Sequence, residues 1–284
     1  MKRTHSSCLL LSLAAAFAGL VSSQTPSGPQ PHPKRVLFIG ASKGFQHDSI
    51  SYAAGTIWKL GHDTGLWDTY VRTDTELITK KKLTANAKNL DYFDAVYFYC
   101  TGDLDLDAEQ KAALLSFVHD DGKGLVGGHT VTDCNQHWPE WVDMVGGIFI
   151  NHPWHQRAMV KVEDRSFPAT AHFGPTLEIT DEFYENREFS RDRVRVLMSL
   201  DTSSVNMKLP TIERKDGDFA LAWVRNYGKG RVFCSPLGHE DQVYDRPDMQ
   251  KMYLEAVKWV LGMTNGDATP RPAPWVGVPV LILK

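Results

Sequence analysis

Short apolar runs alternate with amphipathic stretches through the first half of the chain, and this rhythm predicts its architecture. Val36 to Ile39 is wholly apolar, so Arg35 to Gly40 reads as a buried strand. Ser49 to Leu60 has helical spacing, with Asp48 as its candidate N-cap. Gly61-His62-Asp63 turns the chain into a second strand near Thr64 to Tyr70. A third strand is predicted at Ala95 to Cys100. Asp107 then caps a helix running to His119, whose Leu114, Leu115 and Val118 share a face. After the turn Asp121-Gly122-Lys123-Gly124 comes the strand Leu125 to Gly128. This β–α–β–α order predicts an α/β fold, a doubly wound and mostly parallel sheet with helices on both faces.

The second half is less regular. Arg157 to Val162 alternates like a strand, and Thr176 to Ile179 is short and extended. Thr180-Asp181-Glu182 reads as the start of a loop or helical turn carrying Tyr184. Val194 to Leu200, Ala220 to Val224 and Arg231 to Cys234 are strands, the last two joined through Asn226-Tyr227-Gly228-Lys229-Gly230. Pro247 to Leu261 is a final helix closed by Gly262.

The two ends have a different character. Lys2-Arg3, an apolar run from Cys8 to Leu20 and the small residues Val21-Ser22-Ser23 make residues 1–23 read as a secretory leader. Residues 24–33 form a Pro-rich linker, residues 34–265 the domain, and residues 266–284 a Pro-rich tail. The expectation is an exported protein, periplasmic or extracellular, with no stable membrane span once the leader is cleaved.

Composition narrows the function classes. With 42% hydrophobic and 23% charged residues the chain is not a disordered one. A formal charge of −3 and the lack of a basic run give no electrostatic case for nucleic acid. Past the leader only Cys100, Cys134 and Cys234 remain, without CxxC spacing, so no disulfide framework is expected.

Candidate chemistry gathers where strand-like runs end. The first run leads to His47-Asp48, and Gly124 to Gly128 stops on His129. Gly147 to Ile150 stops on Asn151-His152-Pro153, and Gly230 to Gly238 stops on His239-Glu240-Asp241. Ligands of open α/β sheets bind beyond the carboxyl ends of the strands, so these side chains are expected to converge. Imidazoles with carboxylates suit either a divalent metal such as Zn, Mn or Ni or acid–base work, and no fixed metal-binding spacing decides between them. His129 and His152, with Asp181, Glu182 and Tyr184, are the candidate catalytic groups. His47, Asp48, Asn151, Trp223 and His239 are the candidate substrate-binding ones. At the strand end Gly127-Gly128-His129-Thr130 there is no Ser or Cys in a nucleophile elbow, which argues against covalent acyl transfer.

These residues carry a family resemblance. Gly40 to His47-Asp48, Gly127 to His129, Gly146 to Pro153, Asp181 to Tyr184, and Trp223 through Tyr227-Gly228-Lys229-Gly230-Arg231 to His239 resemble a ThuA-like (trehalose utilisation) domain of the class I glutamine amidotransferase-like superfamily. The resemblance implies a flavodoxin-like sheet, no glutaminase nucleophile and a role in carbohydrate catabolism. The expected function is that of an enzyme acting on glycosides or keto-sugars by His-based or metal-assisted elimination, isomerisation or hydrolysis. The competing expectation is a non-catalytic carbohydrate-binding module using the same cleft.

Overall fold

The computed structural model describes residues 32–84 and 88–272. The leader, nearly all of the linker and the tail beyond residue 272 lie outside the described residues. Two strand–helix units open the domain: β1 (Lys34–Ile39), α1 (Ser49–Thr64), β2 (Trp67–Arg72) and β3 (Ala95–Phe98), α2 (Ala108–His119), β4 (Gly124–Gly127). The chain continues through α3 (Pro139–Val145), β5 (Ile148–Val162), β6 (Thr176–Arg187), β7 (Arg195–Leu200), β8 (Ala220–Tyr227) and β9 (Gly230–Cys234). It finishes with α4 (Gln242–Asp245) and α5 (Pro247–Val260). Among the described residues the strands form one sheet in the order β2-β1-β3-β4-β9-β8-β7-β5-β6.

That sheet has two halves. Strands β2, β1, β3, β4 and β9 are mutually parallel. Beyond β9 each neighbour reverses direction, through β8, β7, β5 and β6. The expected doubly wound α/β arrangement is present. Alternate residues of the parallel strands enter two different cores, as a period-2 strand requires. Val36, Phe38, Ala95 and Tyr97 pack with Ala53 and Ile57 of α1 and with Met252, Tyr253 and Ala256 of α5. Leu37, Ile39, Val96 and Phe98 pack on the other face with Leu114 and Phe117 of α2 and Trp141 of α3.

Local sequence explains several boundaries. The helix α2 opens with a capping box: Asp107 Oδ1 accepts from Gln110 N at 2.8 Å, and Gln110 Oε1 accepts from Asp107 N at 3.1 Å. Asp48 precedes α1 but is itself helical in backbone and makes no side-chain cap bond, so its expected capping role is not realised. Gly65, left-handed at φ 66°, ends that helix.

The second half holds the principal correction. Asp181 to Tyr184 are not a loop or helical turn; they lie within β6, paired antiparallel with β5. Likewise Asn151-His152-Pro153 does not end a strand but sits inside the fifteen-residue β5. The physical reasons are visible in the sequence. Leu177, Ile179 and Phe183 alternate inward, but Asp181 takes the inward position between them and breaks the apolar pattern. Pro153 cannot donate to the ladder, and the register shifts on either side of Asn151 accommodate it.

The described part of the tail lies on the domain. Trp259 Nε1 donates to Gly266 O at 3.3 Å, and Asp267 Oδ2 accepts from Arg195 Nη1 at 2.5 Å. No helix among the described residues is long and apolar enough to cross a membrane.

Candidate functional site

Three parallel strands deliver three imidazoles to one place. The loop after β1 carries His47, Gly128-His129 follow β4 directly, and Ser235 to Gly238 lead from β9 to His239. Because these strands share one direction, their loops leave the same edge of the sheet. The ring centroids of His47, His129 and His239 are separated by 5.0, 5.1 and 5.3 Å.

The antiparallel half supplies the counter-charge. On β6, Glu182 and Tyr184 share the face opposite Phe183, and the loops from the parallel half cover that face. Glu182 Oε2 lies 3.0 Å from His239 Nδ1 and 3.5 Å from His129 Nε2. Its Oε1 lies 3.5 Å from His152 Nδ1 and 3.8 Å from His155 Nδ1. One carboxylate therefore faces four imidazoles.

Burial and charge set the ionisation of this cluster. Burial pushes the Glu182 carboxyl up, but the close approach and positive field of His129 and His239 outweigh it and hold the group well below the usual carboxylate range. His47 is driven down to about 3, first by burial and then by the fields of His129 and His239, so it is a neutral imidazole. His239 moves the other way: burial lowers it, and the proximity and charge of Glu182 raise it more. Burial, then the charge of Glu182, pushes the Tyr184 phenol far up, keeping it a neutral donor.

His129 is fully buried, and its Nδ1 lies 2.6 Å from Pro236 O. A carbonyl only accepts, so Nδ1 carries a hydrogen, and Nε2 faces the Tyr184 hydroxyl and Glu182. The Tyr184 hydroxyl, 3.0 Å away, is placed to donate to that nitrogen.

A buried carboxylate fixes the His239 loop. Asp181 Oδ2 accepts from Gly238 N at 2.6 Å. Its Oδ1 accepts from His239 N, Glu182 N and Glu240 N at 2.9, 3.0 and 3.3 Å. Gly238 must be glycine: φ is 119°, and a Cβ would stand 2.5 Å from the Tyr244 hydroxyl. Its carbonyl accepts from the Tyr99 hydroxyl at 2.9 Å.

His47, His152, Glu182, Tyr184 and His239 line a cavity of about 130 Å³ together with Phe45, Asp133 and Phe149, with His129 buried behind its wall. A shallower depression of about 240 Å³ adjoins it along Phe45 to Ser49 and His239 to Asp241. A larger cavity of about 950 Å³ lies elsewhere, between Lys161–Ser166 and Pro270–Pro272. Most charges there are already paired, Arg271 with Asp164 at 3.4 Å and Lys161 with Asp201 at 3.3 Å, and Arg165 Nε donates to Phe173 O at 3.0 Å, so volume and chemistry do not coincide. The smaller cavity is the chemically equipped one.

The structure brings together His47, His129, His152, Glu182, Tyr184 and His239. Asp181 lies directly beneath them with both oxygens bonded to backbone N–H groups. Asp48 is exposed and borders only the outer depression. Asn151 is turned aside, Nδ2 donating to Thr211 O at 2.8 Å. The reading of Trp223 as a substrate contact is overturned. It is fully buried, donates Nε1 to Val145 O at 2.8 Å and packs on Phe189 in the α2/α3 core, because its strand position points inward there. Phe45, Asp133 and Phe149 were not legible as site residues. Phe45 and Asp133 sit within four residues of His47 and His129, the one signal that marks them.

Thr130 and Cys134 are both buried, and burial pushes the Cys134 thiol far up. Neither lines the cavity. This geometry, a parallel sheet edge bearing a histidine at the strand end where a nucleophile elbow would stand, agrees with the match to known proteins. A family model for ThuA, described as trehalose utilisation, matches residues 35–260. The chain belongs to the ThuA family. A ThuA-like protein from Bacteroides uniformis is 21% identical, with a TM-score of 0.64 over 83% of this chain and 95% of that one. A ThuA-like protein from Parabacteroides merdae is 15% identical, with a TM-score of 0.61 over 84% of this chain and 98% of that one. A cytoplasmic protein of Salmonella typhimurium LT2 shares the fold at 15% identity and a TM-score of 0.53, over 80% and 99% of the two chains. At these identities the likeness is one of fold. Among curated proteins, none matches the sequence. Membership of the ThuA family relates the chain to carbohydrate utilisation.

Proposed function

We propose that this ThuA-family chain is an enzyme acting on a glycoside or keto-sugar by proton transfer within the Glu182 cavity. The observation that carries the reading is the convergence of His129, His152 and His239 on one ionised carboxylate beside the neutral Tyr184 phenol. A C–H next to a sugar carbonyl is acidic enough for an imidazole to remove, and a nearby phenol or imidazole can donate to the oxygen that gains charge. His152, 44% exposed and 3.5 Å from Glu182, is the imidazole best placed to meet an entering sugar. Elimination and isomerisation both use these parts, and hydrolysis needs in addition an ordered water.

Size and surroundings support a sugar as the guest. The cavity of about 130 Å³ encloses only part of a ring, leaving the remainder for the outer depression. Phe45, 66% exposed, and Phe149 present apolar faces at the mouth, the kind of surface on which sugar C–H groups pack.

The test is proton exchange and turnover of keto-glucosides and their parent glycosides in D₂O, followed by NMR. Loss of the signal beside the carbonyl, or appearance of a released sugar, is expected. It should fall roughly a hundredfold or more in His152→Ala and Tyr184→Phe. Saturable sugar binding without exchange or release would replace the enzyme with a carbohydrate-binding module, and absence of both would remove the sugar reading.

The N-terminal leader pattern carries a second proposal, that the mature protein acts outside the cytoplasm. Mass spectrometry of protein recovered from its host should find Gln24 or a near neighbour first. An intact Met1-Lys2-Arg3 start in exported material would end it.

A further inference from the structure

Four groups at the cavity wall and just behind it fit together in a way that proton transfer does not require. One ligand atom from each of His47, His129, His239 and Glu182 lies within 4.8 Å of all the others. Three of the four are held from behind. His129 is held in orientation by Pro236 O on its Nδ1, which turns Nε2 toward Glu182. Imidazoles that ligate metals are habitually held in this way through the other ring nitrogen. The backbone under His239 and Glu182 is clamped by Asp181.

Two nitrogens in this cluster lack what burial demands. His47 is 9% exposed, lines the cavity, and its Nδ1 has no hydrogen-bond partner. His239 Nδ1 stands 3.0 Å from Glu182 Oε2, but off the direction of a hydrogen bond, and is likewise without a geometrically sound partner. Buried polar atoms are seldom left so. A cation bound among these imidazoles and Glu182 would give both nitrogens a partner.

We propose that His47, His129, His239 and Glu182 bind one first-row divalent transition ion. Three imidazoles and one carboxylate select ions of the Zn²⁺, Ni²⁺ or Mn²⁺ kind over Mg²⁺ and Ca²⁺, which take oxygen ligands. Around an ion about 2.0–2.2 Å from each ligand, the ligand atoms stand about 3.3 Å apart, so modest side-chain rotation closes the site. A sugar oxygen entering from the cavity side, where His152 and Asp133 lie, would add as a fifth ligand, which the ion would polarise. A neighbouring trio, His155, His239 and Glu240, also falls within reach of one ion. It competes for His239, but His155 Nε2 is already bonded to Glu240 Oε1 at 2.5 Å and the trio is more exposed.

The catalytic meaning of the ion rests on the sugar reading above; its binding does not. The experiment therefore uses metal alone. Full-length protein is stripped with a chelator and titrated by calorimetry with Zn²⁺, Ni²⁺ and Mn²⁺ in the absence of sugar, with melting followed in parallel. One ion per chain and a raised melting temperature are expected for at least one metal. His47→Ala and Glu182→Gln should each weaken binding about a hundredfold or more, and His155→Ala should leave it unchanged. Co²⁺ loaded into the wild type should give the visible absorption of a low-coordinate N/O site, a readout that stands even where a variant fails to fold. No saturable binding by the wild type, unchanged affinity in folded His47→Ala, or loss of binding in His155→Ala overturns the proposal. Sugar turnover that survives chelation with no ion bound ends the metal and leaves the sugar reading intact. Ion binding with no sugar turnover does the reverse.

Discussion

The parallel and antiparallel halves of the sheet contribute to the site by different rules. From the parallel half come His47, His129 and His239, each on a loop just past the carboxyl end of β1, β4 or β9. From the antiparallel half come Glu182, Tyr184 and His152, all within strands. A loop at a strand end is placed by the direction of its strand alone. A residue within a strand reaches the site only if its hairpin is carried alongside that edge, which depends on register and bulges. The lesson is that the imidazole set is a product of topology, whereas the carboxylate that unites it is a product of packing.

Substitution at the carboxylate tests that division most severely. Glu182→Gln keeps the shape of the side chain but removes the charge facing four imidazoles, and turnover should drop by roughly 10²- to 10⁴-fold. Steady-state kinetics beside a thermal melt would show it; turnover within threefold of wild type would make the antiparallel half mere scaffold.

Asp181→Ala probes the seam between the halves. It removes the acceptor of four backbone N–H groups and leaves them buried, at a cost of about 3 kcal/mol. Chemical denaturation should reveal the loss, together with reduced activity, because the His239 loop is released. A fall in stability with kinetics unchanged would show that the loop holds its place without this clamp.

Trp223→Phe sharpens the contrast inside the antiparallel half. The variant loses the bond to Val145 O and some buried surface, about 1–2 kcal/mol in all. Sugar affinity should not move, since the ring lies in the α2/α3 core. A weakened sugar isotherm would return Trp223 to the site.

The smallest effect belongs to the parallel half. Asp107→Ala breaks the capping box of α2 and should cost about 1 kcal/mol, with turnover unaltered. If denaturation midpoints do not shift, the cap bonds are replaced by water.

Much of the parallel half was legible because its signals are local. Val36 to Ile39 and Leu125 to Gly127 are apolar runs of strand length, and Asp107 with Gln110 spells a helix start three residues apart. Four of the six gathered groups were histidines at or near recognisable run ends. Asp48 and Trp223 misled for opposite reasons. Asp48 stands at the right place for a cap but in the wrong backbone conformation, and Trp223 has the right chemistry for a sugar on the inward face of its strand.

The sequence by itself determined the α/β class, the lack of an elbow nucleophile and the histidines available for chemistry, because residue type and spacing along the chain specify these directly. Only the tertiary structure decided that Glu182 would be their common partner and that Asp181 would bind backbone instead. Two consecutive carboxylates on a strand point to opposite faces, and no local pattern says what either face will meet. That depended on β5 and β6 pairing past Pro153 and bringing one face of the hairpin against three loops, two from the earlier strands β1 and β4 and one from the later strand β9, with Val36 of β1 standing 146 residues before Glu182.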